Sequence, residues 1–316
     1  MSISDQLCAL DPRIGLGTNV FGWTADRVES HRILDALVDA GSGPVLIDTA
    51  DVYTAPDWEG PGDDDRSAEG VLGSWLATRS PEQRDNLVIA TKVGGGTRTP
   101  GLSAANIRRG AEESLRILHT DHIDLFYAHR DDPTVPLEES VRAFDALIDD
   151  GLARGIGVST FSPERMREWI RVADEIGARR PVAVMARYNL LDRTGFETGY
   201  RPVIEEFGLH GFPYFVLASG LLSGRFASAE DVSGSARAAM TASFVDDRAF
   251  EIVGRLRHLA DGAGVAPAAL AAAWAARQPG VTAPIVGART AEQLQTSLNG
   301  WDSVAAEVFD ELTAGS

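Results

Sequence analysis

Four side chains of types that trade protons lie in the first half of the chain: Asp48 and Tyr53 within IDTADVY, Lys92 after LVIAT, and His129 after IDLFYA. Each lies at or soon after the close of a short apolar run, where a buried strand would end. Lys92 is the only lysine, and the other 28 basic residues are arginines. Arginine is a planar fork, whereas lysine is a compact point charge that fits beside a phenol. A tyrosine of ordinary pKa, about 10, is a slow proton donor at neutral pH, and a nearby ammonium lowers that value. The arrangement expected is therefore Tyr53 as proton donor with Lys92 beside it. Asp48 would pair with Lys92 and keep it charged, and His129 would orient the substrate oxygen or join the proton relay. Singly, a strand-end Asp caps a helix, a Tyr packs and a His satisfies a polar group; their convergence on one face is what points to catalysis.

The elements that would bring them together are buried parallel strands at residues 14–16, 45–47, 87–90, 123–127, 156–158, 182–185, 212–217 and 283–286. Amphipathic segments alternate with these runs. Several open with helix-start chemistry: Ser67, Ser103, Ser162 before Pro163, and Thr290 with Gln293 three residues on as a capping box. Eight strand–helix units predict an α/β fold, a (β/α) eight-stranded TIM barrel forming a single domain over residues 1–316. An open doubly wound sheet is the alternative. In a barrel the carboxyl ends of the strands face the site, so all four side chains would meet at one mouth. Two long loops, 57–66 and 224–246, would rise from the same face.

Composition bounds the function. With 44% hydrophobic and 24% charged residues the chain reads as globular. The formal charge of −17 would repel nucleic acid and anionic membranes, so neither is an expected partner, and a phosphate-bearing ligand needs a local site. The lone Cys8, read as a buried or incidental thiol, permits no internal disulfide. The opening MSISDQLCALDPR has no signal-like pattern, and the longest apolar stretch, 265–276, is too short for a bilayer; a cytoplasmic protein is expected. No metal is invoked.

The segments IDTADVY, ATKVG, IDLFYAHR, GLARGIGVSTFS, RYNLLDR and PIVGARTAEQL together resemble the aldo-keto reductases over residues 15–298. The likeness is greatest to the bacterial branch with a GLGT start and a GAR ending. The resemblance implies NAD(P)H-dependent carbonyl reduction, with Asp48, Tyr53, Lys92 and His129 as the catalytic tetrad. It also implies a nicotinamide dinucleotide held without a Rossmann domain; the one glycine pattern of that kind, GLGTNVFG, has the wrong spacing. By the same resemblance Tyr214 stacks on the nicotinamide, and Ser159, Thr160 and Met185 stand at its carboxamide. Leu217, Gly220, Leu222 and Arg225 would follow the pyrophosphate, with Gly287, Arg289, Gln293 and Ser297 around the adenosine phosphate. Arg289 favours NADPH, with NADH as the alternative. Phe21, Trp23, Trp58 and Arg130 are candidates to contact a small-molecule carbonyl substrate.

The chain departs from the family where Met185 replaces a usual Gln, Thr160 and Ser297 replace Asn, and Phe215-Val216 replaces Ser-Pro. A thioether cannot donate a hydrogen bond, so one carboxamide anchor is lost. That loss motivates a rival reading, a cofactor-binding regulator or scaffold with little turnover, as the family's potassium-channel beta subunits illustrate. A third reading takes Lys92 as the Schiff-base nucleophile of a barrel isomerase or lyase.

Overall fold

The structure, a computed structural model, describes residues 2–316 except 59, 61, 63, 97–99, 227 and 234–240. Its strands are β1 (Gly15–Gly17), β2 (Val45–Asp48), β3 (Leu87–Val93), β4 (Ile123–Ala128), β5 (Ala153–Ser159), β6 (Ala183–Arg187), β7 (His210–Tyr214) and β8 (Ile285–Val286). They form one parallel sheet in the order β7-β6-β5-β4-β3-β2-β1-β8. At the remaining seam the Thr282 N–H donates to the Gly211 carbonyl at 2.8 Å, so the barrel is nearly closed. Helices alternate with the strands, and the eight-stranded α/β barrel expected from the sequence is the architecture found.

Side chains alternate across a strand, so every strand divides between two cores. One set, Leu46, Val88, Ala90, Leu125, Tyr127, Ala183, Met185, Phe212 and Ile285, fills the barrel interior. Its base is plugged by Ile3 and Leu7 of the helix Ile3–Cys8 and by Leu10. Interior glycines make room for the larger neighbours: a Cβ on Gly157 would lie 2.3 Å from the Tyr127 ring. The other set, including Ile47, Ile89, Phe126 and Ile156, packs outward against Leu34, Trp75, Phe144 and Trp169 of the helical layer. Cys8, expected to be buried or incidental, is exposed.

Ser67, Ser103, Ser162 and Thr290 each cap a helix by accepting the N–H three residues on. The reciprocal half of the box at Thr290 is not formed. The Gln293 side chain takes the Arg289 N–H instead, at 3.1 Å. The seventh strand also ends sooner than expected, at Tyr214 instead of 217. Phe215, Ala218 and Ser219 all have positive φ, which turns the chain sharply and breaks the ladder that an apolar run alone would continue. Among the described residues no single helix is long and apolar enough to cross a membrane.

Candidate active site

Three of the four proton-trading residues continue the inward alternation to the carboxyl ends of their strands. Asp48 follows Leu46 on β2, Lys92 follows Ala90 on β3, and His129 comes two residues after Tyr127, just beyond β4. Tyr53 sits on no strand. After Asp48 the chain stays tied to β3, with the Thr49 N–H on the Ala90 carbonyl at 2.8 Å. It then folds back, with the Tyr53 N–H on the Ala50 carbonyl at 3.1 Å. That turn returns the phenol to Lys92.

Lys92 is 1% exposed, and its Nζ lies 2.7 Å and 2.9 Å from the Asp48 carboxylate oxygens, 2.7 Å from the Thr49 carbonyl and 3.2 Å from Tyr53 Oη. An ammonium has three hydrogens, and these three residues use them all. Burial works against the charge, but Asp48 and Tyr53 overrule it and hold Lys92 above its ordinary range. A lysine held protonated is not a nucleophile, which argues against the Schiff-base alternative.

One expectation is corrected here. Burial raises the Tyr53 pKa and outweighs the pull of Lys92, while Asp48 and Asp51 push the same way as burial. The phenol is therefore held above its ordinary value and carries its proton; Lys92 limits the rise without reversing it. His129 meets Tyr53 edge-on, with ring centroids 6.1 Å apart at 84°. Burial first, then Lys92 and Arg130, lower the His129 pKa to about 3, so the imidazole is neutral at physiological pH. Its Nδ1 is buried without a hydrogen-bond partner, and the ring lies on the Gly95 backbone, where a Cβ would come within 2.4 Å of Nδ1.

These side chains form part of the wall of a cavity of about 540 Å³, within the size range of small-molecule sites. The same cavity is lined by Ser159, Thr160, Met185, Tyr214, Leu217, Gly220, Arg225, Gly287, Arg289, Gln293 and Ser297, and by Arg130. Leu222 and Phe21 do not reach it: both are in the core of the helical layer, because the turns that carry them point inward. Trp23 and Trp58 also stand outside its lining, Trp58 with the Arg66 guanidinium 5.2 Å from its ring. Of the two long loops, residues 59, 61, 63, 227 and 234–240 lie outside the described residues. Sequence reasoning missed Gly17, Asn19, Ala268, Ile285 and Thr296. The inward alternation of β1 and β8 signals Gly17 and Ile285, but nothing in the sequence announces Ala268, which a helix brings across.

The same cavity has features that could receive phosphates. Arg225 and Arg289 both line it, and neither has a carboxylate partner among the described residues. Burial and the neighbouring Arg289 charge lower the Arg225 pKa, the mark of two cations held close with no counter-ion. Gly287 leaves the wall open there, its nearest neighbours to an added Cβ being 3.6 Å away. Thr160 Oγ1 lies 2.6 Å from the His129 carbonyl and 2.7 Å from that of Ser159, so its one hydroxyl hydrogen is committed to the backbone.

The carboxyl face of this parallel barrel joins a buried carboxylate, an ammonium, a protonated phenol and a neutral imidazole at the wall of one cavity, an arrangement that can pass a proton to a molecule bound there. The chain belongs to the aldo/keto reductase family, whose model matches residues 13–314. Among similar proteins is a probable voltage-gated potassium channel subunit beta of Oryza sativa subsp. japonica, 32% identical over 307 residues that cover 93% of this chain and 89% of that protein. A namesake from Arabidopsis thaliana is 32% identical over 293 residues, 90% of this chain and 85% of that protein. An uncharacterized oxidoreductase, YrpG of Bacillus subtilis (strain 168), is 32% identical over 297 residues, 90% of this chain and 86% of that protein.

Proposed function

We propose that this protein reduces an aldehyde or ketone to the alcohol with NADPH, Tyr53 supplying the proton. The observation that carries this reading is the 3.2 Å contact between Lys92 Nζ and Tyr53 Oη, with Lys92 held by Asp48. A reduced nicotinamide, if bound in the cavity, would supply the hydride that the carbonyl carbon takes. Tyr53 then gives its proton to the developing alkoxide, and the fixed Lys92 charge stabilises the phenolate that remains. Neutral His129 holds the carbonyl oxygen in line, while Ser159 and Tyr214 hold the nicotinamide. Arg225 and Arg289 receive the phosphates, and their doubled charge favours the extra phosphate of NADPH over NADH.

Replacing Tyr53 with Phe should lower turnover by about a thousandfold, with the Kd for NADPH, read by fluorescence titration, nearly unchanged. Undiminished reduction would remove Tyr53 from its role. The weakened amide anchoring at Thr160 and Met185, and the relatives named as channel subunits, favour a second reading as a cofactor-binding regulator. Steady-state NADPH oxidation across a panel of aldehydes and ketones separates the two, since tight binding with no turnover on any of them supports the regulator.

A further inference from the structure

Three arginines line the cavity, and of these Arg225 and Arg289 are close enough for one charge to act on the other. The third, Arg130, directly follows His129, is exposed, and lines the cavity together with the proton-transfer residues. Two carboxylates follow it in sequence, and neither answers it. Asp131 accepts from Arg165 Nε at 2.9 Å. Asp132 accepts the backbone N–H groups of Leu102 and Thr134 and the Thr134 hydroxyl. Among the described residues no carboxylate pairs with Arg130, although the chain carries 46 acidic residues against 29 basic ones and pairs many of its other arginines. The Arg130 charge is also felt where the reaction occurs: it helps keep His129 neutral and acts on the Tyr214 phenol. A guanidinium offers a rigid fork of N–H donors that matches the paired oxygens of a carboxylate or phosphate.

We propose that the substrate is a small aldehyde or ketone bearing an anionic group, a carboxylate or a phosphate, that binds the Arg130 guanidinium while its carbonyl lies at Tyr53 and His129. The carbonyl half of this statement rests on the reductase reading above; the anion subsite does not. Binding at Arg130 fixes the far end of the molecule, so the reacting carbon is held in one orientation. A neutral carbonyl of the same size lacks that anchor.

The test compares matched pairs: 4-carboxybenzaldehyde with its methyl ester, and glyceraldehyde 3-phosphate with glyceraldehyde. In the wild-type enzyme with NADPH, kcat/KM for the charged member of at least one pair should exceed that of the neutral member by about tenfold or more. Arg130→Gln should collapse that ratio toward one, and Arg130→Lys should keep part of it. A preference in only one pair tells carboxylate from phosphate; equal rates within both pairs, or a ratio that survives Arg130→Gln, overturn the proposal. A binding arm keeps the two readings apart. Calorimetric titration of the NADP+ complex with 4-(hydroxymethyl)benzoate and with glycerol 3-phosphate, against the methyl ester and glycerol, reads the subsite without turnover. An Arg130-dependent preference there with no reduction of any carbonyl sinks the reductase reading and keeps the anion subsite. Reduction with no preference in either assay does the reverse.

Discussion

Strand β4 (Ile123–Ala128) has a histidine just before it and another just after it, and the two ends of the barrel treat them in opposite ways. At the amino end, His122 lies 2.7 Å from Asp121 and 3.5 Å from Asp124, and Arg84 and Arg154 reach Asp124 at 2.8 Å and 2.7 Å. The hydrogen bond that His122 donates to Asp124 raises the His122 pKa, against burial and the Arg84 charge. Burial pushes Asp124 up, but His122, Arg84 and the Ile89 N–H overrule it and hold the carboxyl below its ordinary value. At the carboxyl end the balance tips the other way: burial first, then Lys92 and Arg130, keep His129 neutral. A closed charge network supports a fold. The other leaves partners unfilled among the described residues: His129 Nδ1 is buried without a hydrogen bond, and the exposed Arg130 has no carboxylate partner at the cavity it lines.

That contrast can be broken by substitution. The largest effect is expected at the open end, where Lys92→Met removes the charge that stabilises the phenolate. Turnover should fall by about a thousandfold, measured as kcat on a reducible aldehyde; a small loss would mean that the ammonium is only structural. Next comes the closed end, where Asp124→Asn leaves Arg84 and Arg154 without their carboxylate. It should cost about 3 kcal/mol in chemical denaturation while kcat per folded molecule stays within about twofold. A variant that lost activity without losing stability would erase the division between the ends.

A smaller effect sharpens the account of His129. Gly95→Ala places a methyl 2.4 Å from Nδ1 and must tilt the ring. We expect kcat to drop by roughly tenfold to a hundredfold with NADPH affinity retained; an unchanged kcat would show that the ring's tilt is immaterial. The smallest effect is a pH dependence of stability. His122 has a folded pKa raised above its ordinary 6.5, so its contribution is complete below that value and is lost as pH rises through the folded value. Measured by urea unfolding, the change in stability from about pH 6 to about pH 8 should be less favourable in the wild type than in His122→Asn, which has no His122 proton to lose. His129, with a folded pKa of about 3, works the other way: its unfolded form takes up a proton below the ordinary 6.5, so it adds stability as pH rises through that value.

Much of this was legible because strands obey a period of two. Apolar runs predicted the strands, and the residues ending them predicted Asp48, Lys92 and His129 at one mouth. The end of β7 was not legible, since Phe215 looks apolar in sequence and only its positive φ ends the strand. Leu222 and Phe21 were misjudged for a related reason: their types suit a pocket wall, but the turns that carry them face the core.

The residue types and their alternation determined by themselves that a barrel forms and that a phenol, an ammonium, a carboxylate and an imidazole gather at one end, because each depends on local order along the chain. Only the tertiary structure decided how tightly the phenol holds its proton, which way each histidine's pKa moves, and which arginines lack a carboxylate partner among the described residues. Those are properties of desolvation and of distance between segments far apart in sequence, and burial at Tyr53 outweighed the neighbour that composition had singled out.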